Sequence, residues 1–156
     1  NEPANAFVAD FVGSPDMNIL DADIQQSGGN INYKTKGFTL QNSASTDNGL
    51  RQKVDTHTIR LGIRPQNIHL PSNITWEYDE GQTFTADLTL IEDVGAVSNL
   101  HMEVNGVDMI AQINGMTDLE VGDSITLVVD MEKLHFFDRQ TGERITGPNV
   151  ALAEAK

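Results

Sequence analysis

Four histidines, His57, His69, His101 and His135, are the first candidates for acid–base or metal chemistry in this chain. No two of them stand three or four residues apart, so none shares a helical turn with another, and the spacing points to structural or surface roles rather than to a metal site. Asp and Glu number 23, which makes carboxylate pairs uninformative. Asp21 and Asp23 fall on one face of a strand and read as solvated charge, not as a general acid–base pair. Glu92-Asp93-Val94-Gly95 reads as a bulge or sharp bend at a strand end. A phosphate-cradling loop needs a Gly-rich turn closing on Gly-Lys-Ser/Thr. Only Gly28-Gly29 and the lysines Lys34 and Lys36-Gly37 come near it, and none has the spacing. No Gly-x-Ser-x-Gly elbow occurs. Cysteine is absent, which removes disulfides, zinc–thiolate sites, iron–sulfur clusters and thiol catalysis together. With no nucleophile–base pair and no metal constellation, the expectation is a chain that is not itself an enzyme and holds no metal or cofactor of its own.

The elements that would position any site are mostly strands. Met17, Ile19, Ala22 and Ile24 lie near one face of a first strand, with Leu20 as an irregularity. Gly28-Gly29 marks a turn, and Ile31 to Leu40 returns beside it. Residues 41–55 are polar and read as a loop. Ile59, Leu61 and Ile63 alternate until Arg64-Pro65, where proline ends pairing or marks an edge. Residues 71–82 read as another loop that turns at Asp79-Glu80-Gly81. Phe84, Ala86, Leu88 and Leu90 alternate, then Leu100, Met102 and Val104. Asn105-Gly106 is the strongest hairpin signal, because a type I′ turn needs positive φ at both central residues. Met109, Ala111 and Ile113 return from it, Ile125, Leu127 and Val129 follow Gly122-Asp123, and Leu134 to Phe137 precede a turn at Gln140-Thr141-Gly142. About eight short strands with spaced turns predict an all-β barrel or sandwich. The two halves, up to Pro65 and from Phe84, suggest two small lobes. One short helix, Pro3 to Gly13, precedes the strands, with Phe7, Val8, Phe11 and Val12 on one face. Whether that face packs on the chain's own barrel or on a missing neighbour stays open.

The chain has 156 residues and a formal charge of −13, with an apolar share of 38%. That length suits one domain and a core that needs no disulfide or metal. The negative balance repels nucleic acid and anionic lipid surfaces, so no nucleic-acid partner is expected. No apolar run approaches the ~20 residues of a membrane span. The first residue is Asn1, without a signal-peptide pattern behind it, and the expectation is a piece of a longer parent.

Pro3-Ala4-Asn5-Ala6-Phe7-Val8-Ala9-Asp10-Phe11-Val12-Gly13-Ser14-Pro15-Asp16-Met17-Asn18 closely resembles a segment just beyond the nucleotide-binding domain in the ATP-binding subunits of carbohydrate ABC importers of the maltose-importer type. That pattern runs Pro-x-Asn-x-Phe-Val-Ala-x-Phe-Ile-Gly-Ser-Pro-x-Met-Asn. Leu61-Gly62-Ile63-Arg64-Pro65 resembles the family's Leu-Gly-Ile-Arg-Pro-Glu strand, with Gln66 in place of glutamate. Ile91-Glu92-Asp93-Val94-Gly95 is similar to its Glu-x-x-Gly turn, and Val121-Gly122-Asp123 and Leu134 to Ile145 to its last strands. The motifs stand in the family's order along nearly the whole chain.

The resemblance implies an OB-like (TOBE/MOP-like) barrel over residues 16–156, preceded by a connector helix over residues 1–15. It implies a regulatory and dimerisation domain that serves solute uptake, on the cytoplasmic side of the membrane. ATP and Mg would belong to the nucleotide-binding domain outside this sequence. The implied partners are that domain, a second copy in a homodimer, and the membrane permease subunits. The implied interdomain or dimer contacts are Phe7, Phe11, Gly13, Ser14, Pro15, Met17, Asn18, Arg64 and Pro65. Gly13 would end the helix, Pro15 stop its continuation, and Ser14 hydrogen-bond a nearby backbone group. Phe7 and Phe11 would be covered partly by the barrel and partly by the ATPase domain. Arg64, a planar donor, would pair with a carboxylate, internally or across a dimer. The alternative is a small-molecule barrel, since related barrels bind oxyanions such as molybdate. Such a site wants clustered N–H groups, hydroxyls and a lysine, and these are scattered here.

Overall fold

Alternating apolar residues interrupted by turn formers give antiparallel hairpins, and the chain is built from them. The structure is a computed structural model that describes residues 16–27, 30–43, 58–115, 117–142 and 144–146. The expected helix from Pro3 to Gly13, with Phe7, Phe11, Gly13, Ser14 and Pro15, lies outside the described residues, as does most of the polar stretch 41–55.

The described residues form eleven strands: β1 (Asn18–Ser27), β2 (Asn30–Lys34), β3 (Thr39–Ser43), β4 (Thr58–Ile63), β5 (Ile68–His69), β6 (Thr83–Asp93), β7 (Val97–Val104), β8 (Val107–Asn114), β9 (Ser124–Val129), β10 (His135–Phe137) and β11 (Arg144–Thr146). The surplus over eight has a simple origin. The segment Ile31–Leu40 is two strands joined by a turn, and β5 and β11 are too short to show alternation. One sheet runs β11-β10-β4-β1-β2-β3 and the other β5-β9-β6-β7-β8.

The two-lobe expectation is corrected by this topology. β10 leaves the second half of the chain and pairs with β4, placing His135 opposite Gly62 and Phe136 opposite Leu61. Both sheets then close on one core. Leu20, Ala22, Ile31, Tyr33, Leu40, Ile59 and Leu61 from the first sheet are buried against Phe84, Leu88, Leu100, Met102, Met109 and Leu127 of the second. Burial of large apolar side chains at ~1.5–3 kcal/mol each is the main stabilising term. Rings bridge the layers: Phe38 stacks on Phe84 at 4.7 Å between centroids.

Two phase assignments are corrected as well. In β1 the inward set is Asn18, Leu20, Ala22 and Ile24, whereas Ile19 is 41% exposed. A polar residue at the first inward position hid the true phase from a hydrophobicity count. In β6 the pairing register shifts between Leu88 and Leu90. The extra residue rotates the strand, so Leu90 emerges 48% exposed while Ile91 packs on the core.

The turn chemistry follows expectation. Asn105 has φ 50° and Gly106 φ 87°, the two positive values that the β7–β8 hairpin needs. After β10, Asp138 Oδ1 accepts the N–H groups of Gln140 and Thr141, at 2.8 and 2.9 Å. These bonds hold the Asp138 carboxyl below its usual range. A carboxylate depressed in the folded state contributes stability above its unfolded pKa and loses it as pH falls through the folded value. Asp138→Asn should therefore flatten the acid limb of a stability-against-pH curve. Parallel acid limbs for the two proteins, followed by urea melts between pH 6 and 2, would contradict it.

Candidate interdomain junction

Met17, Asn18, Arg64 and Pro65, the expected contact residues that the structure describes, come together where β1 begins and β4 ends. The register pairs Asn18 with Ile63 across these strands. Asn18 is buried, and its side chain does more than fill space. Its Nδ2 donates to the carbonyls of Ile63 and Ile110, both at 2.9 Å. Its Oδ1 accepts the N–H of Ile110 at 2.9 Å. Ile110 lies on β8, the edge strand of the second sheet. An edge residue presents an N–H and a C=O with no strand beyond them. The primary amide of Asn18 supplies the complementary acceptor and donor, so one side chain stands in for a neighbouring peptide group and ties the two sheets together.

Met17 precedes this clamp and lies over Gly62, beside His135 and Phe137. Gly62 is buried opposite His135, and the missing side chain is what admits the Met17 sulfur. Arg64 is half-exposed, in extended conformation (φ −71°, ψ 142°), and its carbonyl accepts the N–H of Asn67 at 2.9 Å. Its guanidinium makes no ion pair or hydrogen bond with any described residue, so of the internal and cross-dimer pairings left open for it the internal one is not found among them. Pro65 is buried at the start of a 3-10 turn, Pro65–Asn67. Asn67 O in turn accepts the N–H of Asp130 at 3.0 Å, which docks this turn against the end of β9.

A second inter-sheet clamp sits at the far end of β8. Asn105 Nδ2 donates to Gly37 O at 2.7 Å, joining the β7–β8 hairpin tip to the turn between β2 and β3. Thr35 Oγ1 organises that turn by donating to Phe38 O at 2.8 Å.

Sequence reasoning missed Arg139. Its Nη2 donates to Ala22 O at 3.0 Å and to Ile59 O at 3.3 Å, spanning β1 and β4 from the turn after β10. It also approaches Asp21 and Asp23, each at 3.7 Å, and Arg60 pairs with Asp21 at 3.3 Å. The two aspartates do share an outward strand face, and their role is charge pairing at the surface, worth ~0–1 kcal/mol per pair. His101 pairs with Glu92 at 2.7 Å, and that hydrogen bond lowers the Glu92 pKa. His57 lies outside the described residues. Among the described residues no three His, Asp or Glu side chains are grouped to hold a metal ion, and no helix is long and apolar enough to cross a membrane.

Two antiparallel sheets sharing one core, pinned at the entry to β1, make an OB-like barrel. Residues 13–68 match the family model of the MalK OB fold domain, and residues 61–137 match that of the TOBE domain. The chain belongs to this family of MalK-type OB-fold and TOBE domains. Among curated relatives, the sn-glycerol-3-phosphate import ATP-binding protein UgpC of Psychromonas ingrahamii is 32% identical over 93% of this chain and 36% of its own length. The osmoprotective compounds uptake ATP-binding protein GgtA of Synechocystis is 32% identical over 90% of this chain and 37% of its own. The chain thus spans little more than a third of the curated relatives it matches. Among solved structures, the cytoplasmic molybdate-binding protein ModG, with molybdate bound, superposes with a TM-score of 0.55 at 10% identity, covering 76% of this chain and 94% of that one. At that identity the likeness concerns the fold alone.

Proposed function

We propose that this chain is the C-terminal regulatory and dimerisation domain of an ABC-transporter ATP-binding subunit that energises uptake of a carbohydrate or related solute. The observation that carries the reading is the run of two consecutive family models, MalK OB fold then TOBE, through one barrel with one core. Relatives named as import ATP-binding proteins, aligned over nine-tenths of the chain, support it. In this reading the parent works at the cytoplasmic face of the membrane beside its permease subunits, and ATP and Mg are bound by its nucleotide-binding domain. The residues before Asp16 link that domain to β1, so the Asn18 clamp lies at the point where a movement of the ATPase domain would pull on the barrel. Arg64, with no described partner, is available to a carboxylate of the ATPase domain or of a second copy.

The chain alone should neither bind Mg·ATP nor hydrolyse it, because no phosphate loop is present. It should self-associate weakly and more tightly as salt screens the −13 charge on each copy. Isothermal titration with Mg·ATP and light scattering across a concentration and salt series check both. Micromolar ATP binding would overturn the assignment of ATPase chemistry to another domain. A strict monomer at millimolar concentration in moderate salt would remove dimerisation from this domain.

A further inference from the structure

Away from the junction, a groove of about 360 Å³ opens between the end of β3 at Asn42, the segment that follows β5 and the 3-10 turn after β9, Met131–Lys133. That volume lies within the ~300–1,000 Å³ of small-molecule sites. Met131 is buried beneath it. Trp76 lines it and keeps 39% of its surface exposed. The indole is held from both sides, edge-to-face with His69 at 5.9 Å and with Tyr78 at 6.4 Å between centroids. A large ring fixed by two others and left open to solvent is a preformed platform, not a side chain waiting to collapse into a core.

The polar lining has one sign. Glu77, Asp130 and Glu132 contribute carboxylates beside the amides of Asn42 and Gln82, and among the described residues no lysine or arginine lines the groove. Gln82 is already engaged: its Nε2 donates to Val129 O at 3.4 Å and its Oε1 accepts the Asp79 N–H at 3.0 Å. His69 supplies no compensating charge at neutral pH, since burial pushes its pKa down, against the opposing pull of Asp130. The groove therefore offers an exposed π-face and unneutralised acceptors, in a chain of net charge −13. Anions are repelled from such a place, and a cation gains from both the carboxylates and the ring quadrupole.

We propose that this groove binds a small organic cation, one carrying a primary or quaternary ammonium group that sits over Trp76 between Glu77 and Glu132. The test is direct because Trp76 is the only tryptophan in the chain. Choline chloride and cadaverine dihydrochloride are titrated at constant ionic strength while tryptophan emission is followed, with maltose, glycerol 3-phosphate and molybdate as comparators. The expected result is a saturable change with at least one ammonium compound and none with the comparators. Glu77→Gln/Glu132→Gln should weaken the binding about tenfold, as should Trp76→Leu read by calorimetry. Glu103→Gln, on the exposed face of β7, should leave it unchanged. The proposal is overturned if both ammonium compounds act no differently from sodium chloride. It is also overturned if Glu103→Gln weakens binding as much as the groove variants do, or if a sugar or an anion saturates the groove instead.

Discussion

Asn18→Ala should destabilise the chain by about 3 kcal/mol, read as a lower urea midpoint at an unchanged slope. The substitution removes three hydrogen bonds at once, to Ile63 O, Ile110 O and Ile110 N, all at 2.9 Å. It leaves the backbone groups of a buried junction without partners, and an unsatisfied buried group costs ~1–3 kcal/mol. Asn18→Asp separates this account from a mere loss of volume. A carboxylate keeps the acceptor for Ile110 N–H but faces two carbonyls with no proton to give. Its pKa should rise in the folded state, so the variant should be weak at neutral pH and regain stability as pH falls. Equal stability of Asn18→Asp and the parent chain at pH 7 would mean that the two donated bonds contribute nothing.

Gly37→Ala is expected to cost about 2 kcal/mol although it adds a single methyl group. A Cβ at Gly37 would stand 2.7 Å from the carbonyl oxygen of Val104, a backbone atom with no rotamer by which to move away. Relief requires the β2–β3 turn to lift off the β7–β8 hairpin, which breaks the Asn105 bond to Gly37 O. Gly62→Ala is the informative contrast. The first atom its Cβ meets is the Met17 sulfur, on a flexible side chain, and the next is Cε2 of the buried Phe137 ring at 2.9 Å, so Met17→Ala should recover part of the loss but not all of it. Thermal melts of the four proteins decide the matter. A Gly37→Ala protein as stable as the parent would show that the two turns are not tightly docked.

Much of this architecture can be read from residue order because each hairpin carries its own local signal. Asn105-Gly106 fixes its turn by the positive φ that both residues adopt, and the β4, β7, β8 and β9 alternations all point inward as expected. The errors arise where a non-local partner overrides pattern. Asn18 looks like a polar break in β1, yet it faces inward because the edge of β8 supplies its hydrogen bonds. Leu90 looks like the fourth inward residue of β6, but the bulge before it reverses the count. For Arg64 the sequence leaves an internal and a cross-dimer carboxylate equally open, and among the described residues it has no partner. The groove around Trp76 was not legible at all, since its lining comes from β3 and from loop and turn segments distant in sequence. The one available hint was an aromatic pair, Trp76 and Tyr78, inside a stretch otherwise suited to solvent.

The placement of β10 has a consequence for synthesis on the ribosome. β4 sits between β1 and β10, so its second edge has no neighbour until residues 135–137 have left the exit tunnel. By then β1 to β4 have long been exposed, and Leu61 and Ile63 offer an apolar strand with open backbone groups. Closure of β4 in the first sheet must await residues 135–137, far along the chain from it, a high contact-order step that slows folding. A nascent chain arrested shortly before His135 would therefore be the species most prone to aggregation or capture by chaperones. Cutting the gene just after β4, within the stretch 61–68 where the two family matches overlap, should yield two insoluble halves that recover a native fold only when expressed together.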